Sequence, residues 1–481
     1  MPAGFENSEK YRNYISKRRA HWQQNARQFE KQNIFNSAYH RRLKEVYGYL
    51  IPKGMRVLEI GCGNGDLLAS LQPAFGIGLD ISHEMLLQAK GKHPSLYFIE
   101  GDAQLLPIHA PFDYIILSDL VNDLWDVQSL FTDIQKLCSP STRVIINTYS
   151  RLWQPMLAMA DGLHLAKSNL LQNWLTLPDL KNLLELSDYN QIHTWQEMLL
   201  PLSIPLVYPF INKFLAKLWP FNIFCLSNFL VAKSRICAEN SPAPSVTVVV
   251  PARNEAGNVP DIFRRVPEMG SKTELIFVEG NSSDNTYEEI EKHLSMNLRP
   301  NCMLLKQPGK GKGDAVRTGF AAATCDILMI LDADLTVPPE DLPRFYDAMA
   351  AGKGEFINGV RLVYPMEDKA MQLFNFLGNK FFSVAFSWLL GQSVKDTLCG
   401  TKVLWKKDYD RIVANRLYFG NFDPFGDFDL LLGAAKLNLK IVDLPIRYRE
   451  RIYGTTNIQR WKHGWLLLKM VLFSARKMKF V

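Results

Sequence analysis

Short, almost wholly apolar runs recur along the chain with amphipathic stretches of helical period between them. Residues 55–60, 75–79, 96–100 and 112–117 in the first half read as short apolar strands, the first of them buried. Residues 246–250, 274–278 and 327–331 repeat the pattern in the second half. Strands alternating with helices predict parallel α/β sheets in both halves. The stretch 238–245 (AENSPAPS) carries two prolines among small polar residues and predicts a linker. The expected divisions are a helical extension over 1–39, a first domain over 40–237, the linker 238–245, a second domain over 246–460, and a basic amphipathic tail over 461–481.

Composition adds bounds rather than detail. A length of 481 residues suits two or three cores. The net charge of +7 is modest and favours anionic ligands or an acidic membrane surface. No Lys/Arg cluster is interleaved with aromatics, so nucleic acid is not an expected partner. Seven scattered cysteines without a Cys-x-x-Cys pair read as reduced, cytosolic thiols, and the amino-terminal stretch lacks the apolar core of a signal peptide. The longest apolar stretches, 199–229 and 464–475, are broken by Pro and Lys, so the expectation is a cytoplasmic protein, peripheral on the inner face of a membrane. Oligomeric state is not set by the sequence.

The first strand runs into Gly61-Cys62-Gly63-Asn64-Gly65 and a helix over 66–71. Glycines at alternate positions let a backbone approach a ligand where a strand turns into a helix. The dinucleotide fingerprint would need glycine at Asp66, which disfavours NAD. The second strand ends in Asp80, placed to accept from the hydroxyls of a ribose, and the third in Gly101-Asp102-Ala103, placed to meet an adenine amino group. These residues resemble the class I S-adenosylmethionine-dependent methyltransferases over about residues 40–235. The resemblance implies S-adenosylmethionine as cofactor, held by Glu59, Gly61, Gly63, Gly65, Asp80, Asp102 and Ala103. It does not name the methyl acceptor. Asp119, Asp123 and His164 are available as bases and none is assigned; residues 201–220 read as an acceptor lid or, more plainly, as a buried hairpin connection.

In the second half Asp332-Ala333-Asp334 ends an apolar strand, and two carboxylates so spaced suit Mg²⁺ or Mn²⁺ with a diphosphate completing the shell. Before it come Pro251-Ala252-Arg253-Asn254-Glu255, then Glu279-Gly280, then the glycine- and lysine-rich 308–315, whose spacing is not that of the P-loop. This ordered set resembles the inverting GT-A glycosyltransferases, most closely the dolichol-phosphate mannose synthase branch, over residues 246–460. The resemblance implies a UDP- or GDP-linked sugar held by Pro251, Arg253, Glu255, Glu279, Lys310, Asp314, Asp332 and Asp334, with Asp332 and Asp334 on the metal. Glu279-Gly280 departs from the usual Asp-Asp, and Thr336 stands where the branch often has a metal-binding Gln. Arg361, Lys402 and Arg451 match cations that hold acceptor phosphate and departing diphosphate.

The acceptor leaves a fork. A sugar hydroxyl needs a general base, for which Asp427 and Asp429 are candidates beside Asp334; a polyprenyl phosphate is already ionised and needs none. The mostly apolar 370–390 and a tail carrying Trp461, Trp465, Leu468 and Leu472 beside Lys462, Lys469 and Arg476 favour the lipid. The expectation is a bifunctional transferase moving methyl groups and sugar, the latter to a polyprenyl phosphate or membrane glycan. Its alternative is a glycosyltransferase for a soluble hydroxyl whose first half only binds.

Overall fold

The computed structural model describes residues 8–28, 34–162, 170–235, 242–297, 299–361, 363, 373–418, 426–449, 451, 453 and 460–480. His164 and much of residues 370–377 and 454–463 therefore lie, wholly or in their side chains, outside the described residues. Contacts divide the chain into two compact units, Met1–Ile236 with Phe480–Val481, and Cys237–Lys479.

The first unit is built on a seven-stranded sheet of order β3-β2-β1-β4-β5-β7-β6. Its strands are β1 Arg56–Ile60, β2 Phe75–Asp80, β3 Tyr97–Glu100, β4 Phe112–Ser118, β5 Cys138–Tyr149, β6 Tyr189–Glu197 and β7 Ser227–Ser234. The first five run parallel, while β7 pairs antiparallel with both β5 and β6. Burial on both faces explains the near-continuous apolar runs: Val57, Leu58 and Ile60 of β1 and Ile115, Ile116 and Leu117 of β4 are wholly enclosed. One face packs against helices that include Val127–Gln135 and Leu177–Leu186, and the other against Ile34–Leu50.

The second unit repeats the scheme with a seven-stranded sheet of order β10-β9-β8-β11-β13-β12-β14. Here the strands are β8 Val246–Ala252, β9 Thr273–Glu279, β10 Cys302–Lys306, β11 Ile327–Ile330, β12 Phe356–Val360, β13 Lys402–Trp405 and β14 Ile441–Pro445. Strands β10, β9, β8 and β11 are parallel, and β13 alone runs antiparallel to its neighbours. Every residue of β9 is buried, including Glu274, whose carboxylate accepts from Thr247 Oγ1 at 2.6 Å and Thr324 N at 3.0 Å.

In each sheet the strand order reverses next to the first strand of its unit, between β1 and β4 and between β8 and β11. Connections leave a reversal point in opposite directions, so a crevice opens beyond the carboxyl ends of the two strands. Both candidate sites lie there.

Candidate active sites

In the first unit the glycine turn follows β1, Asp80 ends β2, Asp102 follows β3 and Asp119 follows β4, and these four strands are neighbours. Gly61 and Gly65 stand at φ 78° and 73° and are hemmed in: a Cβ would meet Leu120 Cδ1 at 2.9 Å on Gly61 and the Phe98 ring at 2.8 Å on Gly65. A Cβ on Gly63 would meet open space, so its backbone is the part left for a ligand to approach. Asp80 fixes the turn by accepting from Gly63 N at 2.8 Å and Ser82 N at 2.9 Å. Burial pushes its pKa up. Glu59 is buried and takes the Leu68 N–H at 3.1 Å, which ties β1 to the following helix, and burial pushes its pKa to about 8.

Asp102 accepts from Gln104 N at 3.0 Å and from the Tyr11 hydroxyl, and Ala103 beside it is buried. Tyr11 and Tyr14, from the helix Glu9–Gln28, stand edge-on to Trp125, and Arg18 and Trp22 of that helix reach Asp123 at 3.6 and 3.1 Å. The amino-terminal helix thus lies along the strand ends, a position no local motif announces. Asp119 stands at φ 53°, uncommon for a residue with a side chain. The Tyr39 hydroxyl lies 2.9 and 2.8 Å from its two oxygens, and Asn147 Nδ2 donates at 2.7 Å. Burial pushes the Asp119 carboxyl to about 7.

The fit to S-adenosylmethionine rests on this donor set: an open glycine backbone and two acidic groups at the ends of β2 and β3. It is the chemistry an adenosine needs, with acceptors for ribose hydroxyls and for an amino group.

In the second unit the loops after β8 and β9 are knitted together. Glu255 N donates to Thr286 Oγ1 at 2.9 Å, Asn254 N to Ser282 Oγ at 3.0 Å, and Ser282 N to Glu279 Oε1 at 2.6 Å. Pro251 and Arg253 are at least partly exposed on this edge, as is Lys310. Asp314 accepts from Gly309 N at 2.8 Å and so closes the glycine-rich turn. Glu279 and Asp314 therefore act on the loops themselves.

The Asp332/Asp334 pair is matched by two cations. Lys312 Nζ lies 2.6 Å from Asp332 Oδ1, and Arg451 Nη2 bridges Asp334 Oδ2 at 3.0 Å and Glu255 Oε1 at 2.9 Å. Burial pushes Glu255 to about 7, against the pull of Arg451. Thr336 donates its hydroxyl at 2.8 Å and its N–H at 3.2 Å to Asp334 Oδ1, so it orients that carboxylate. Leu335 between them has φ 54°, an outlier for a branched apolar side chain and a local strain at the site. Among the described residues no cluster of three or more His, Cys, Asp or Glu could hold a metal alone. Two hard carboxylates fit Mg²⁺ or Mn²⁺ when a diphosphate supplies the remaining oxygens.

The remaining expected cations sit deeper. Arg361 forks onto Asp396 at 2.7 and 2.9 Å over the Tyr448 ring, which pulls the Asp396 pKa down. Lys402, on β13, is fully buried with its ammonium on the Cys399 carbonyl. Asp429 is paired with Arg416 at 2.9 Å, and the side chain of Asp427 lies outside the described residues. Sequence reasoning missed Lys312, Tyr39 and Tyr11 as partners. For Lys312 the glycine-rich run was the signal; for the two tyrosines there was none.

Residues 51–198 match the family described as methyltransferase domain, and residues 247–412 match glycosyl transferase family 2. A dolichol-phosphate mannosyltransferase of Saccharomyces cerevisiae is 36% identical over 110 residues, 21% of this chain and 40% of that protein. An undecaprenyl-phosphate 4-deoxy-4-formamido-L-arabinose transferase of Pectobacterium carotovorum is 26% identical over 216 residues, 44% of this chain and 62% of that protein. The chain thus spans less than two thirds of either relative. A solved S-adenosylmethionine-dependent methyltransferase from Thermotoga maritima is 13% identical, covers 45% of this chain and 98% of its own, and has a TM-score of 0.36.

Proposed function

From the premise that this chain joins a methyltransferase domain to a family 2 glycosyltransferase domain, we propose a bifunctional transferase. Its second unit moves sugar from a UDP- or GDP-linked donor to a polyprenyl phosphate, and its first moves a methyl group from S-adenosylmethionine. The observation that carries the reading is the charge-balanced seat at Asp332 and Asp334. Lys312 and Arg451 hold these carboxylates where a divalent cation and a diphosphate would bind. The metal would supply charge neutralisation for the departing diphosphate. Lys312 and Arg451 would then turn from carboxylate to phosphate oxygens, which Arg recognises with two parallel hydrogen bonds.

An acceptor that arrives ionised needs no general base, and Asp429, one of the candidate bases, is held in an ion pair by Arg416 at 2.9 Å. The names of the yeast and Pectobacterium relatives mention dolichol phosphate and undecaprenyl phosphate, and they point the same way. A lipid acceptor also suits two helices that pack together, Leu373–Leu390 and Arg460–Ser474. They leave Phe381, Val384, Trp388, Trp465 and Leu472 exposed beside Lys469 and Lys479, whose ammonium groups lie over Trp465 and Trp388 at 5.7 and 5.2 Å. No helix among the described residues is long and apolar enough to cross a membrane, so the contact proposed is peripheral.

In the first unit S-adenosylmethionine supplies a methyl group already activated by its sulfonium, and positioning provides much of the rate. Asp119, with a pKa of about 7, is the group we assign to take the acceptor's proton. Titration of the purified protein tests both halves: saturable binding of S-adenosylhomocysteine, and of UDP or GDP with Mn²⁺, is expected. Absence of either would reduce that half to a module without its cofactor.

A further inference from the structure

In the segment that joins β6 to β7, residues 198–226, two polar side chains are buried while several large apolar ones are exposed. Asn212 is buried, with its amide on both sides of Leu200, at 2.9 Å from the N–H and 2.7 Å from the carbonyl. Lys217 is buried with its ammonium on Glu197, which also takes Arg42 at 3.1 Å, and burial pulls the lysine pKa down. The Trp153 indole donates to Phe224 O at 2.8 Å. Met198, Ala216, Cys225 and Leu226 join the core, but the larger apolar side chains between them do not: Leu206 is 87% exposed, Trp219 80%, Phe210 61% and Phe224 58%, with Ile204 and Ile223 also exposed.

Water would favour the reverse. Each large apolar side chain left exposed forgoes the stabilisation of burial, and a buried lysine adds a desolvation cost. Contiguous apolar surface of this kind on a soluble domain marks an interaction site. Charge decides between occupants. From Met198 to Lys233 there is no Asp or Glu, while Lys213 is exposed and Arg41 lies over the Tyr208 ring at 5.2 Å. Trp and Phe beside the exposed Lys213 and the neighbouring Arg41, with no acid in the segment, suit an interfacial anchor at anionic headgroups. A segment lacking acids and with its amides turned inward offers a protein partner little to read beyond greasiness.

We propose that this platform docks the methyltransferase unit on an anionic lipid bilayer. It is separate in sequence and in unit from the helices Leu373–Leu390 and Arg460–Ser474, so each half of the chain carries its own membrane-facing surface. The inference rests on the segment and holds whether or not the methyl-transfer reading does.

The test is sedimentation of the full chain with vesicles of phosphatidylcholine and phosphatidylglycerol. A Leu206→Ser/Phe210→Ser/Trp219→Ser variant is compared with the native chain, in the native background and in one carrying Trp465→Ser/Leu472→Ser. At least a tenfold loss of vesicle partition from the triple change in the second background is expected, with S-adenosylhomocysteine binding retained. Unchanged partition in both backgrounds overturns the proposal. So does a triple variant that alters only the oligomeric state in vesicle-free sedimentation velocity, which would make a second copy the occupant. If the triple variant does not fold, brominated phosphatidylcholine provides the second readout. It should quench native emission by a component missing in Trp219→Phe, and equal quenching of both proteins overturns the proposal. Vesicle binding without S-adenosylhomocysteine binding would sustain the platform and remove the methyl-transfer reading.

Discussion

Two residues set the character of the glycosyl site, and neither is a carboxylate. Lys312 and Arg451 sit on Asp332 and Asp334 at 2.6 and 3.0 Å, so in the proposed site they would compete with a bare cation and cooperate with a metal diphosphate. Replacing either by Met should therefore tighten Mn²⁺ binding by itself and weaken UDP or GDP with Mn²⁺ by about tenfold or more. Calorimetry with the two ligand sets separates these effects; weaker binding of both would mean that the cations only support the fold. Glu59 gives a second prediction, this time for stability. Burial raises its pKa to about 8, above the unfolded value near 4.5, so the folded state holds the proton more tightly. The contribution is present at low pH and is lost as pH rises through about 8, at roughly 1.4 kcal/mol per pH unit in between. Thermal melts of the cofactor-free protein from about pH 5 to about pH 9 should show the slope, and Glu59→Gln should flatten it.

At the scale of elements, close approach explains two glycines that no phosphate-loop motif requires. A Cβ on Gly313, in the first turn of helix Lys312–Ala322, would stand 2.9 Å from the backbone of Gly426, which starts helix Asp427–Lys436. A Cβ on Gly400 would collide with Asp332 Oδ2 and Lys312 Nζ. Gly313→Ala should lower stability by roughly 1–3 kcal/mol through overpacking. Gly400→Ala should leave the melting temperature closer to native and abolish metal-dependent nucleotide binding; unchanged binding in Gly400→Ala would show the Asp332–Lys312 pair to be incidental. Strands were legible in the sequence because buried parallel strands are apolar throughout, so Val246–Ala252 and Thr273–Glu279 stand out without any partner known. One local reading held in part: residues 201–220 do connect the antiparallel strands β6 and β7, but many of their large apolar side chains are exposed rather than buried, since the apolar run cannot say which side faces the domain.

At the scale of the whole chain, the two units use one device. Each sheet reverses strand order beside its first strand, and the loops proposed to bind ligand lie at that reversal. Locally clustered groups such as Gly61–Gly65 or Asp332–Asp334 were readable for that reason, because a strand exit concentrates them in a few consecutive residues. Partners brought together by topology were not. Tyr39 meets Asp119 across 80 positions, and the Arg451 partnership with Asp334 spans 117. The second unit is proposed to load sugar on a polyprenyl phosphate. The direct measurement incubates the purified protein with Mn²⁺, polyprenyl phosphate and a panel of UDP- and GDP-sugars, and follows radiolabel into the lipid phase. Label on the lipid, lost in Asp334→Ala, is the predicted result; donor hydrolysis or transfer to soluble hydroxyl acceptors alone would contradict it.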